Sequence, residues 1–574
     1  MQSDITTVAM TVAEELVLSA RAGDDSIDTK AQKSKTDRLV ELAECCEFFR
    51  QDVDEPFATF NVGDHTETWP IKSSGFRRWL SHEFWKQYKS VPGSQAMQDA
   101  ENVLSGRANY DGKQVLVHTR VAEHGGNLYL DLADNAWRVV EITANGWSII
   151  SDAPVKFIRA RGMQEIPAPS HHGDLNLLRN YINVGNEEDF ALIKAFLIAT
   201  LRPGFSFPFK VFTGEQGSGK TSQSRKLKSL VDPGKAAVRG LRGGLRDLAI
   251  AAGNSWLMAL DNVSTIPTWT SDALCSLSTG GGFATRELYS NDDEKIFDYQ
   301  RPVILNGIGD IVTRPDLLDR CIVLELPIIP EDERRQESEL NRQFEIARPL
   351  ILGGLLDAAV MALHEQSKVK LARLPRMADF ATWAVAAEPA HSQEAVFMNA
   401  YTGNRVNLNQ VALDSSIIGP AILELLNNQD RWDGQLGELL DRLNENAPDS
   451  VRKSRFWPSI PRLLKSELAR LAPNLRKIGV TVTLGRRNKK GAVIILERIG
   501  NASSPSSPST PPGVINDLED GRDRSSDDGG RASDTYQRPS APGGISNPLY
   551  SGGDADGADG DDVLQHQSSE EFDI

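Results

Sequence analysis

The sequence predicts an α/β core built round a glycine-rich phosphate-binding loop. An α+β region precedes that core, and helices, a basic helix-and-hairpin module and an acidic tail follow it. Three observations predict this arrangement. Between about residues 190 and 330, β-prone apolar runs alternate with helical segments, the pattern of a parallel sheet covered by helices. One of these runs, Val211–Thr213, opens directly into Gly214-Glu215-Gln216-Gly217-Ser218-Gly219-Lys220-Thr221. The charge is also unevenly spread: residues 501–574 carry 15 acids against 4 bases, whereas residues 1–500 carry 64 against 59.

A chain of 574 residues exceeds one ordinary core, so several domains are expected. With 40% hydrophobic and 25% charged residues the composition is that of a soluble globular protein. No apolar run reaches the roughly 20 residues that span a bilayer, so no membrane partner is expected. The polar, acidic N-terminus lacks the basic segment of a secretory signal. Cys45 and Cys46 are adjacent while Cys275 and Cys321 stand alone, which provides neither a disulfide framework nor zinc-ligand spacing. A reducing, cytoplasmic location follows as an expectation.

Taken in order, residues 1–35 and 501–574 are rich in polar and small residues and bury too little to offset ordering entropy, so both read as disordered. Residues 36–200 read as an α+β domain of unread role. Helical stripes run through "TDRLVELAECCEFFRQ" and "SGFRRWLSHEFWKQY", and short strands through "KQVLVHTRVA", "GNLYLDLA", "WRVVEIT" and "GWSIIS". Residues 201–330 form the α/β core, with strands at "KVFT", "SWLMAL", "PVILN" and "CIVLEL". Residues 331–410 read as a helical lid and 411–500 as helices closed by a hairpin, "VTVTLGRRNKKGAVIILERI".

Gly214 to Thr221 satisfies G-x-x-x-x-G-K-[ST]. Gly214, Gly217 and Gly219 let the backbone curl until successive N–H groups, with those of Glu215, Gln216, Ser218 and Ser222, converge on phosphate oxygens. Lys220 adds a point charge, Thr221 a hydroxyl for Mg²⁺, and the helix that follows its positive end. ATP and Mg²⁺ are the implied ligands. About forty residues on, "SWLMALDN" ends in Asp261, a carboxylate able to hold Mg²⁺ through water; the plain alternative is a buried strand running into an Asx turn. Asn262 stands where a water-polarising glutamate is usual, and an amide orients water but takes no proton. Either positioning does the work, or Glu215 or Glu287 assists. Asn306 ends a third strand and can reach the γ-phosphate or the lytic water, or else simply forms a turn before Gly307. Arg320 precedes a fourth strand, where it can project into a neighbour's γ-phosphate or make a surface ion pair.

In this order, GEQGSGKT, LMALDN, LSTGGGFATRELY, PVILNGI and DLLDRCIVLEL resemble the AAA+ ATPase core of superfamily 3 helicases, in particular those of phage, plasmid and prophage primase–helicase proteins. The likeness covers about residues 205–330. It implies a P-loop NTPase fold and a homo-hexameric ring with ATP between subunits. Lys220 and Thr221 would belong to Walker A, Asp261 and Asn262 to Walker B, Asn306 to sensor 1, Arg320 to an arginine finger and Arg376 to sensor 2. It also implies a pore hairpin in "LSTGGGFATRELYSNDDEKIFDYQ", with Arg286, Tyr289 and Lys295 as contacts for single-stranded nucleic acid. That hairpin departs from the family at its tip, where Asp292, Asp293 and Glu294 oppose Lys295 and repel phosphate. No catalytic primase signature precedes the core.

Between Arg452 and Arg498 there are thirteen Lys/Arg against Glu467 and Glu497, a footprint for phosphate on an otherwise acidic chain. A helix with Lys465, Arg470, Arg476 and Lys477 leads to a hairpin tip carrying Arg486, Arg487, Lys489 and Lys490. This reads like a winged helix with its wing on the DNA backbone; the plain alternative is a solvated basic face or a dock for the tail. The tail, ending "EEFDI", reads as a solubilising segment or as a peptide that docks a replication partner. The function expected is an ATP-driven ring motor on single-stranded or forked DNA, a replicative helicase of a mobile element. The alternatives are a helicase loader, initiator or protein remodeller that cycles ATP without unwinding, and a small-molecule kinase using the same loop.

Overall fold

Ser34 caps the first helix of the computed structural model by accepting from the Asp37 N–H while Asp37 returns the bond to the Ser34 N–H, both at 3.1 Å. The structure describes residues 33–499 except 53–54, 242, 282, 287–293, 298, 310, 313, 394, 428 and 489–490, with side chains left out across 282–298 and 485–492. The expectations for residues 1–32 and for the acidic tail therefore lie outside the described residues.

The first layer holds α1 (Lys35–Leu42), α2 (Ser74–Tyr88) and α3 (Ser94–Tyr110) against a sheet ordered β3-β2-β1-β4. These strands are β1 (Glu47–Arg50), β2 (Pro56–Val62), β3 (His65–Pro70) and β4 (Lys113–Gln114). The helical stripe expected through "CCEFFR" is corrected here. The chain leaves the helix at Cys46, which is extended, and Phe48 and Phe49 enter β1. Pairing with β2 stacks Phe49 on Phe57, centroids 5.7 Å apart, and that contact outweighs the local helical period. This layer has its own core round Phe60, Phe76, Leu80, Phe84 and Leu104.

Next, β5 (Val117–His118) pairs with β10 (Lys156–Phe157), while β6 (Val121–His124), β7 (Asn127–Asp131), β8 (Val139–Thr143) and β9 (Gly146–Ile150) form an antiparallel meander. α4 (Glu187–Ala199) is buried at every position from Phe190 to Ala199, as a helix apolar on all sides must be.

The central sheet is parallel throughout and ordered β12-β13-β16-β11-β17. In chain order it comprises β11 (Phe209–Thr213), α5 (Lys220–Val231), β12 (Arg239–Gly240), α6 (Leu245–Asn254), β13 (Met258–Asp261) and α7 (Thr268–Thr279). The hairpin β14 (Phe283–Arg286) and β15 (Glu294–Phe297) follows, then β16 (Val303–Asn306), the one-turn α8 (Pro315–Leu318) and β17 (Cys321–Glu325). Central strands β11 and β16 are apolar runs because helices cover both faces.

After the sheet come α9 (Glu337–Glu365), α10 (Ala378–Ala387) and α11 (Val396–Asp414). α9 corrects the expectation that no run is long enough to span a bilayer: it passes on length and hydropathy, 1.7 over its best window. Yet 61% of that window is buried inside the protein, which makes it a core helix. Gly353 and Gly354 sit where the segment 170–175 crosses it; a Cβ on Gly353 would lie 1.9 Å from the Ser170 carbonyl oxygen.

The chain closes with α12 (Gly419–Asn427), β18 (Arg431–Gln435), α13 (Leu436–Asn446), α14 (Asp449–Arg452), α15 (Pro461–Lys477) and the hairpin β19 (Val480–Asn488) and β20 (Gly491–Arg498). The hairpin follows the helices as its pattern suggests. β18 is a strand that the sequence reading did not include, and it takes Gly434 and Gln435 from the start of the helix expected over "GQLGELLDRLNE", because "WDGQ" pairs with β20. This module has its own core from Leu413 to Leu496. By contrast, one core runs from Val121 in β6 through α4 and the sheet to Tyr401 in α11. The hydrophobic interior therefore does not part at residue 200, where composition suggested a boundary.

Candidate functional site

In an open parallel sheet, ligands sit outside the carboxyl ends of the strands, where neighbouring connections diverge. Here that point is β11: the chain leaves it toward β12 on one side, and β17 returns on the other. The loop from Gly214 to Gly219 occupies this position. Gly214, Gly217 and Gly219 have φ of 133°, 87° and 83°, a region that side-chain-bearing residues avoid. Each of the three glycines noted in the sequence is thus required by the backbone. Gly214 is also crowded, since a Cβ there would lie 2.8 Å from the Leu326 carbonyl oxygen.

Gly219 caps α5, so the helix's free N–H groups begin at Lys220 and Thr221. Lys220 Nζ donates to the carbonyls of Gly214 (2.9 Å) and Glu215 (2.7 Å) and to Ser218 Oγ (3.3 Å), folding its charge over the loop. Partial burial lowers its pKa, and the charge of Asp261 works against that shift. Ser218 is fully buried and pins the loop by donating to the Glu215 carbonyl at 2.9 Å. Glu215 and Gln216 are exposed on the loop, and Ser222 accepts from Lys226 Nζ at 2.6 Å.

Across from the loop, β13 delivers Asp261, and Thr221 Oγ1 donates to Asp261 Oδ1 at 2.9 Å. A hydroxyl from the first turn of α5 and a carboxylate from the end of β13 meet here, a hard-oxygen pair suited to Mg²⁺. Asn262 is exposed, with φ 54°, and its N–H points to Asp261 Oδ1 (2.9 Å) and Asn306 Oδ1 (3.0 Å). Asn306 differs from its expectation. Rather than reaching outward it is 1% exposed, and its amide nitrogen donates to Ser224 Oγ at 3.0 Å. Ser224 in turn donates to the Lys220 carbonyl at 3.0 Å. The amide of Asn306 therefore joins β16, the turn after β13 and the first turn of α5.

One residue outside the motifs, Asn183, completes the loop's support. Asn183 donates to the carbonyls of Ser218 (3.0 Å) and Pro327 (2.7 Å), and its N–H reaches Gln223 Oε1 at 3.0 Å. Nothing in its local sequence marks it, because only the fold brings this distant residue to the loop.

Arg320 is not brought to this site within its own subunit. It precedes Cys321, which pairs with Phe209 at the amino end of β11, whereas the loop leaves from Thr213. The two lie a strand length apart, roughly 15 Å. Its guanidinium Nη1 donates to the Asp316 carbonyl (2.7 Å) and faces Cys275 Sγ (3.6 Å). Arg376 is corrected: it lies at the same amino end, paired with Asp319 at 2.6 Å, and does not approach the loop of its own subunit.

The strands of the hairpin in "FATRELYSNDDEKIF" pair antiparallel, with Arg286 opposite Glu294 and Thr285 opposite Lys295. The side chains of Arg286 and Lys295, together with Tyr289, Glu287 and the acidic tip at Asp292 and Asp293, lie outside the described residues. So do Lys489 and Lys490 and the side chains of Arg486 and Arg487, whose backbones belong to β19. On α15, Arg462, Lys465, Arg470, Arg476 and Lys477 are all exposed; Arg470 pairs with Glu467 and Lys477 with Asp319.

Residues 175–411 match a family model described as the actinomycete integrative conjugative element replication protein, and residues 418–509 match the C-terminal domain model of the same replication protein. The division between the two falls beside Leu413, where the last core begins. No curated protein matches the sequence. Among solved structures, the apo A form of the NrS-1 C terminal region is similar at 13% identity, covering 81% of this chain and 100% of that one, with a TM-score of 0.34. A second structure of that region gives 12% identity, 80% and 98% coverage and a TM-score of 0.36. Likeness of this size assigns no fold.

Proposed function

We propose that this chain, whose residues 175–411 match the family model of an actinomycete integrative conjugative element replication protein, is an ATP-hydrolysing motor of such an element's DNA replication. The observation that carries the proposal is the meeting of Lys220, Thr221 and Asp261 beyond the carboxyl ends of β11 and β13, the strands on either side of β16, with Thr221 and Asp261 in contact at 2.9 Å.

In this reading, the backbone N–H groups from Glu215 to Thr221 bind the phosphates, and Lys220 exchanges its loop carbonyls for phosphoryl oxygens. Thr221 and Asp261 hold Mg²⁺, which when bound neutralises charge on the transferring phosphoryl group. Asn262 orients the attacking water, and Asn306 acts indirectly by fixing Asn262 and the first turn of α5. Arg320, at the opposite edge of the sheet, is offered to the next subunit of a ring, so that nucleotide binding and the finger come from different copies. The exposed cations of α15 supply a surface for DNA phosphates.

A second reading, a loader or remodeller that cycles ATP without unwinding, is favoured by Asn262, because no carboxylate stands there to take the water's proton. Both readings require nucleotide turnover. Steady-state ATPase assays with and without single-stranded DNA test them. Lys220→Ala should lower turnover by about a hundredfold or more. Stimulation by DNA together with unwinding of a forked duplex selects the motor, and stimulation without unwinding selects the loader. Unchanged turnover in Lys220→Ala removes both.

A further inference from the structure

Asp319 immediately precedes Arg320, and three cations from three separate segments close on it. Arg376, ahead of α10, approaches at 2.6 Å; Lys477, at the end of α15, approaches at 2.6 Å; and Arg405 of α11 makes an ion pair with the same carboxylate. Arg405 also donates to the main-chain carbonyl of Asp319. That carbonyl and the Arg320 N–H belong to one peptide group, so Arg405 grips the peptide plane from which Arg320 departs.

Two of the remaining bonds of Arg320 stay within its turn, from its N–H to the Leu317 carbonyl and from its guanidinium to the Asp316 carbonyl, while the guanidinium also faces Cys275 Sγ of α7 and the Arg320 carbonyl accepts from Phe209 in β11. The turn itself therefore sets the local shape, and Asp319 links it to the lid and the C-terminal module. The connection continues through α11, where Asn404 donates to the Val323 carbonyl in β17 (2.6 Å) and Asn409 to the Asn474 carbonyl in α15 (3.1 Å). Burial would raise the pKa of the Asp319 carboxyl, but hydrogen bonds from Lys477 and Arg376 and the charge of Arg405 hold it far below the usual carboxylate range. Without its negative charge three cations would face one another, and like charges at such range repel. The contact is therefore conditional: it holds while Asp319 is charged and α15 is seated.

We propose that Asp319 is a positioning residue for Arg320, coupling the placement of that arginine at the subunit edge to the seating of α11 and of α15. The proposal rests on the reading of Arg320 as a group that completes the neighbouring subunit's nucleotide site. It adds a route by which the basic C-terminal module governs hydrolysis next door. Lys477 is the cation that the module contributes, so a DNA phosphate drawn to α15 competes with Asp319 for the same ammonium group.

The test compares ATP turnover of the full chain with that of Arg320→Ala, Asp319→Asn and Lys477→Met, and then mixes Asp319→Asn subunits with Lys220→Ala subunits. Asp319→Asn is expected to lower kcat by about tenfold to a hundredfold while KM for ATP stays within about twofold. Lys477→Met, a change at an exposed side chain, should move kcat in the same direction by about threefold. Mixed rings should regain turnover above either variant alone, because a Lys220→Ala subunit still presents an intact Arg320 to an Asp319→Asn neighbour that still binds nucleotide. If Asp319→Asn turns over like the wild type, or is inactive but not complemented in mixed rings, the proposal is overturned. If Arg320→Ala itself retains full turnover, the reading of Arg320 beneath it falls first, whatever Asp319 does.

Discussion

Lys210 is the second residue of β11, four positions before Gly214, with no measurable exposure and no hydrogen-bond partner for its side-chain nitrogen among the described residues. Burial drives its pKa well below the usual lysine value, and the charge of Asp189 opposes this only in part. A polar group buried without a partner costs free energy, while methionine keeps the length of the chain and removes the unmet donor. Lys210→Met is therefore expected to stabilise the protein by about 1–2 kcal/mol, read as a higher midpoint of thermal unfolding; a lower midpoint would show that the amine has a role the packing does not reveal. At this scale the glycine loop was readable in the sequence because its residues are contiguous. Asn183 and Ser224 were not, since each acts through a partner that only the fold supplies. The bonds of Asn306 to Asn262 and Ser224 were likewise unreadable, because they depend on residues 44 and 82 positions away.

At the scale of elements, capping and pairing decide the outcome. α4 begins at Asn186, whose Oδ1 accepts from the Asp189 N–H at 2.7 Å, and Glu187, Glu188 and Asp189 fill its first turn, where negative charge suits the helix dipole. Asn186→Ala should cost about 1 kcal/mol, measured by denaturant unfolding; no loss would mean that burial alone holds the helix start. Long helical stripes such as "SGFRRWLSHEFWKQY" appear in the structure where their period places them, at Ser74–Tyr88. Short β segments were less readable. "CCEFFR" and "WDGQ" became strands because β2 and β20 offered partners, and a pairing partner is a non-local property that no local period encodes.

For the whole molecule, the interior is shared across regions that composition separates. Arg120, wholly buried, donates to Asp232 at the end of α5 (3.2 Å) and to the carbonyls of Asp131, Gln164 and Pro233. Lys228 meets the same Asp232 at 2.7 Å, so the meander and the helix after the phosphate loop are joined by a satisfied ionic cluster. Two half-buried histidines lie beside this shared interior. Burial, with Arg301 adding to it, lowers the pKa of His118 to about 4, and burial, with Lys194 adding to it, lowers that of His391 to about 3. In the unfolded chain both protonate near about 6.5. The unfolded state then binds more protons between these values, so stability is complete above about pH 6.5 and falls as pH drops toward about 4. Thermal midpoints measured from pH 7 to 4.5 should decline, and a His118→Leu, His391→Leu double variant should decline less; equal slopes would remove the two imidazoles as the cause.

The sequence by itself determined the glycine loop with Lys220 and Thr221, the carboxylate at the end of β13, the alternation that makes the parallel sheet, and the basic character of the C-terminal module. Each of these is carried by neighbours in the chain or by a short period. Only the tertiary structure decided that Arg320 faces away from its own loop, that Arg376 serves Asp319, and that one core runs through the boundary near residue 200. These are relations between distant residues, and tertiary packing is what brings them within reach.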